Sequence, residues 1–147
     1  MFQMEIGLQS IFTQMLNDAE IIETYSRIAK KEAVDGGYAT HDLSHVTRVI
    51  NNCEKIAQLL GMSGDDNVVI KIAALLHDIG CVSGSKGGHS ERSAQWTEKY
   101  LSNKGLHQDT ISKIVTAISE HSSNAKSVHG KILLFSDKID INEKRIL

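Results

Sequence analysis

The chain contains no proline. Proline removes a backbone N–H and clashes with the preceding helical turn. Its complete absence over 147 residues, with few aromatic residues besides, leans towards an all-helical protein. Cysteine is scarce as well: Cys53 and Cys81 are the only two. That excludes a disulfide-built scaffold, and in a reducing compartment the pair reads as free thiols. No apolar run is long enough to span a bilayer, so no membrane partner is expected. The N-terminal MFQMEIGLQS carries Glu5 and no basic region, unlike a signal peptide, and the expected location is cytoplasmic. A basic excess is also missing. The formal net charge is −2, and no nucleic-acid polymer is expected as a partner.

What the sequence does have is helical periodicity. Met4, Leu8, Ile11, Phe12 and Met15 recur at spacings of three and four, one apolar face of a first helix. A second is predicted from Asp18, with Ile21, Ile22, Tyr25, Ile28 and Ala29 inward, stopping at Gly36-Gly37. Leu43, Val46, Val49, Ile50, Cys53, Ile56, Ala57 and Leu60 form the stripe of a third, closed by Gly61. Residues 67–79 are apolar on nearly every side, which predicts a central buried helix with Gly80 as its C′ residue. The stretch CVSGSKGG, residues 81–88, reads as a loop. Ser90 and Asp109 are expected to cap two further helices, and KILLFSDKIDINEKRIL closes the chain. With no repeat or low-complexity tract, one domain is expected over 1–147. Residues 1–37 supply N-terminal helices that pack on a core of 38–147.

Six residues of metal-ligand type interrupt this apolar pattern near helix ends. They are His45, the adjacent pair His77-Asp78, His89, His121 and Asp137. Imidazole and carboxylate together suit borderline divalent ions such as Mn, Fe, Co, Ni or Zn. Neighbouring helical residues point about 100° apart, so His77 and Asp78 can grip an ion from two directions. A carboxylate in that position can also bridge two ions.

The contexts HDLSHVTRV, ALLHDIG, GHSERSA, AISEHS and FSDKID, in this order from about residue 38 onward, resemble the HD-domain metal-dependent phosphohydrolases. The resemblance implies a compact helical bundle and a centre of one or two divalent transition-metal ions. His45, His77 and Asp137 would hold one ion, His89 and His121 the other, with Asp78 bridging. It further implies hydrolysis of a phosphate ester or anhydride by a metal-activated hydroxide, with His77 and Asp78 catalytic. The expected substrate is a nucleotide or another small phosphorylated metabolite. Two other readings use the same residues: a di-iron oxygenase of the same fold, and a non-catalytic signalling module that keeps its metal for stability. No GYP segment is present, so hydrolysis of a cyclic dinucleotide is not expected. Oligomeric state is left open, a homodimer included.

Around this set, Arg48 shares a helical face with His45, so it can meet a substrate phosphate or form an ion pair. Arg92 follows His89 by one turn. Lys86 stands among backbone N–H groups in GSKGG, a loop that lacks P-loop spacing. Cys81 stands where many relatives carry lysine. Asp42 reads as an N-cap, and His41 as an ordinary residue beside it rather than one lining the site entrance; His107 and His129 read as solvent-exposed.

Overall fold

In the computed structural model, residues 2–36, 42–83, 88–121 and 124–146 are described, with side chains for 7–34, 42–82, 88–121 and 124–140. Gly37, His41, Lys86 and the side chain of Met4 lie outside these residues. The elements are α1 (Phe2–Leu16), α2 (Ala19–Gly36), α3 (Leu43–Leu59), α4 (Gly64–Leu76), α5 (His89–Leu101), α6 (Gln108–Glu120) and α7 (Val128–Ile146). A 3-10 turn, Ile79–Ser83, links α4 to α5, and no strand occurs among the described residues.

The most apolar segment becomes the axis of the bundle. Val68, Val69, Ile70 and every residue from Ile72 to Leu76 are buried, and α4 packs against α1, α3, α6 and α7. α5 lies on α6 and on the 3-10 turn, which also meets α2. Tyr25 of α2 is wholly buried and donates its hydroxyl to the Leu75 carbonyl at 2.5 Å. Asp18 does open α2, accepting from the Glu20 N–H at 2.9 Å. Its other oxygen accepts from the Tyr100 hydroxyl and ties that corner to α5.

Several boundaries differ from the sequence expectation, each for a local reason. α4 starts at Gly64 because Ser63 caps it, its side chain facing the Asp66 N–H. It ends at Leu76, where the chain tightens into the 3-10 turn and the Cys81 N–H bonds the Asp78 carbonyl at 3.0 Å. Gly80 is not a left-handed C′ residue. A Cβ there would stand 2.5 Å from the Ser93 nitrogen and 2.8 Å from Arg92 atoms. Glycine is required because α5 runs directly over the turn. Gly88, at φ 77°, takes the N-cap place of α5, and Ser90 is buried in the first helical turn instead. α6 begins at Gln108, so Asp109 lies in its first turn rather than capping it. Ile22 and Leu60 are exposed, each turned off the inner face that Ile21 and Ala57 occupy.

Candidate metal centre

Four of the ligand-type residues sit at or within a turn of a helix end and Asp78 in the turn after α4, whereas Asp137 lies in the middle of α7 and not near a helix end as the sequence pattern suggested. Asp42 caps α3 by accepting from the His45 N–H at 2.9 Å, which fixes the first turn and turns His45 inward. His77 is the C-cap of α4 and His121 the C-cap of α6. Their Nδ1 atoms lie 2.6 Å from the carbonyls of Ala74 and Ile118, three residues back in each case. A carbonyl only accepts, so the proton sits on Nδ1 and both rings present Nε2. Carbonyls of the last helical turn thereby orient two candidate ligands, that of Ile118 also accepting the His121 N–H at 3.3 Å. His89 opens α5, Asp137 lies on α7, and Asp78 follows His77 into the turn.

The six side chains converge in two groups that share one carboxylate. The ligand atoms of His45, His77, Asp78 and Asp137 all lie within 4.8 Å of one another, as do those of Asp78, His89 and His121. Asp137 Oδ1 is 2.9 Å from His45 Nε2 and 3.3 Å from His77 Nε2. Asp78 Oδ2 faces the same two nitrogens at 3.4 and 3.1 Å. Asp78 Oδ1 points the other way, 3.6 Å from His89 Nε2 and 3.7 Å from His121 Nε2. Those two nitrogens are 3.1 Å apart.

The arrangement fits divalent ions. Zn–N and Zn–O bonds of about 2.0–2.2 Å hold neighbouring donors roughly 3 Å apart, the spacing found here. Asp78 is 1% exposed and its Oδ2 has no hydrogen-bond partner, an orphaned buried oxygen that a cation satisfies. The electrostatics agree. Burial pushes the Asp78 and Asp137 carboxyls up, but the histidines around them outweigh it and hold both well below the usual carboxylate range. Burial likewise lowers His45, yet its bonds to Asp137, Asp78 and Asp140 raise it to about 9. Protons thus favour His45 and His77 in the metal-free centre, where an ion would take their place.

Asp140 was not foreseen. It is 1% exposed on α7, and its Oδ2 lies 2.6 Å from His45 Nδ1. The one available signal was SDKID, which puts Asp140 three residues after Asp137 on one helical face. Arg48 is engaged here: its Nε donates to Asp140 Oδ1 at 2.5 Å, its second nitrogen reaches Oδ2 at 3.3 Å, and the third bonds Ser44 at 2.6 Å. Of the two roles read for Arg48, the ion pair is the arrangement observed. Arg92 donates its Nε to the Gly80 carbonyl at 3.0 Å and extends beside Gly88, next to His89. Cys81 is buried. His107 is exposed, but His129 is not: it is 8% exposed and its Nε2 lies 3.0 Å from Asp66 Oδ1. α7 begins at Val128, so the apparent connector is a helix that packs His129 inward.

Comparison with known proteins agrees with this geometry. The model of the HD domain matches residues 42–142, most of the chain and the span that contains all six candidate ligands. Among solved structures, a predicted HD superfamily hydrolase from an uncultured Thermotogales bacterium superposes with a TM-score of 0.68. It is 28% identical in sequence, and the match covers 86% of this chain and 72% of that one. No curated protein matches the sequence. The chain belongs to the HD-domain family.

Proposed function

We propose that the protein is a metal-dependent phosphohydrolase acting on a nucleotide or another small phosphorylated metabolite. The observation that carries this reading is Asp78, whose two oxygens face two separate groups of imidazoles inside one buried cluster. His45, His77, Asp78 and Asp137 would hold one ion, and Asp78, His89 and His121 the other. Divalent ions bound there supply a Lewis acid that activates water at neutral pH and offsets charge on a phosphoryl group.

The protein's own residues do the rest. The carbonyls of Ala74 and Ile118 keep His77 and His121 in the tautomer that presents Nε2. Burial of Asp78 excludes competing water from the carboxylate and strengthens its interactions. Arg92, whose guanidinium reaches beside Gly88, is read as a cation that would meet a phosphate; Lys86 belongs to the same stretch of sequence. No serine or cysteine nucleophile is needed, and burial holds the Cys53 thiol up at about 12.

The test is phosphate release from a panel of nucleotides and sugar phosphates by protein loaded separately with Mn, Fe, Co, Ni or Zn. Release that needs metal and falls at least about 10²-fold in Asp78→Asn supports the proposal. Turnover that instead consumes oxygen, with a di-iron paramagnetic signal, overturns it in favour of the oxygenase chemistry open to the same ligands.

A further inference from the structure

The two halves of the centre are not built alike. The half with His45, His77, Asp78 and Asp137 has four ligands, two of them carboxylates, drawn from α3, α7 and the end of α4. Three of its four residues are at most 2% exposed. Among the described residues the other half has three candidate ligands, and its only carboxylate is the shared Asp78. His89 within it is half-buried, its side chain 18% exposed, at the very start of α5.

The difference extends one layer outward. His77 and His121 rest their Nδ1 atoms on neutral carbonyls. His45 rests its Nδ1 on a carboxylate, Asp140, at 2.6 Å, and that carboxylate is held in place by Arg48 on the far side. A carboxylate behind an imidazole fixes the ring and makes it a stronger donor, an effect generally worth 10–100-fold in metal affinity.

We propose that Asp140 is a positioning residue that makes the four-ligand half a tight metal site, leaving the Asp78–His89–His121 half an exchangeable one. The protein then holds one resident ion and takes up the second at a higher free-metal concentration. Metal supply would set the fraction of protein with a complete centre. This inference rests on the metal centre of the proposed function, but not on the identity of the substrate.

The experiment is a titration of metal-free protein with Mn(II), read by the paramagnetic signal of the free aqua ion, with no substrate present. Wild type is expected to bind two ions in steps at least tenfold apart. Asp140→Asn keeps an acceptor for Nδ1 but loses the charge and the Arg48 pair. It should weaken the first step 10–100-fold and leave the second within a few-fold. His89→Ala should abolish the second step and leave the first unchanged. Circular dichroism checks that each variant is folded. Should Asp140→Asn fail to fold, Arg48→Gln, which leaves the Asp140–His45 bond, should weaken the first step in the same direction by a smaller factor. Two equal steps, or a first step indifferent to both α3–α7 variants, overturn the inference alone. No uptake of Mn(II) by wild type overturns the metal centre itself.

Discussion

At the scale of single residues, Asp140 and Asp78 divide two tasks between carboxylates of nearly equal burial. Asp78 turns both oxygens to the candidate ligand histidines, Oδ2 forming no hydrogen bond, whereas Asp140 holds both oxygens on His45 and Arg48. In metal-free protein the pH response follows from His45. Its pKa of about 9 lies above the usual histidine value of about 6.5. The protonated ring stabilises the fold fully below pH 6.5, and that contribution is lost as pH rises through 9. Metal binding runs in the opposite sense, because an ion must displace that proton. The expected result is a first-step affinity that falls up to about tenfold per pH unit between pH 8 and 6, with proton release visible by calorimetry in buffers of different ionisation enthalpy. A second expectation concerns Cys53. With its thiol at about 12 and its side chain fully buried, it should resist thiol reagents at pH 8 until the protein unfolds, as mass spectrometry of labelled native and denatured samples would show. The six clustered side chains were legible in sequence because each breaks an apolar pattern. Asp140 was not, because its meeting with His45 spans 95 residues of chain and leaves no local signature.

At the scale of elements, the tightest constraint is the crossing of α5 over the 3-10 turn. The Gly80 N–H donates to Ser93 Oγ at 2.8 Å, and the Gly80 carbonyl accepts from Arg92 at 3.0 Å. Both bonds depend on an approach that a Cβ would prevent. Gly80→Ala should therefore cost about 1–3 kcal/mol, as overpacking does. In a chain of this size that is a drop of roughly 2–12 °C in melting temperature. Because α5 starts with His89, the same substitution should weaken the second metal step more than the first. Helix faces were readable from spacing alone, and Val46, Val49, Cys53 and Ala57 are all buried as the stripe predicts. Helix ends were less so. Ser63 caps through its side chain and Gly88 through a left-handed backbone, neither of which a period of 3.6 encodes.

At the scale of the whole molecule, a metal bound at the proposed centre would be a cross-link. Its ligands come from α3, α5, α7 and the C-terminal ends of α4 and α6, segments up to 92 residues apart in sequence. The bundle around them was foreseeable from the proline-free, periodic chain; the convergence of five segments on one cluster followed only from the family resemblance, since spacing within a helix says nothing about packing between helices. An ion bound only by the native state adds stability by mass action, about 2.7 kcal/mol at a hundred times its dissociation constant. Stripping metal with a chelator should therefore lower the melting temperature by roughly 5–11 °C, and restoring it should reverse the change. His45→Ala should flatten that response, whereas Leu133→Ala, which costs about 2–5 kcal/mol by emptying a wholly buried core position, should lower both melting curves in parallel.

His77 and His121 solve the same problem by the same local rule: a histidine at the C-cap, its Nδ1 proton on the carbonyl three residues before it. Such a ligand carries its aim within four consecutive residues and owes nothing to the rest of the molecule for it. It is portable. Written onto the end of a helix in an unrelated bundle, it should arrive with the ring already set, whereas a copy of His45 would arrive without Asp140 and Arg48 and have to find its orientation anew.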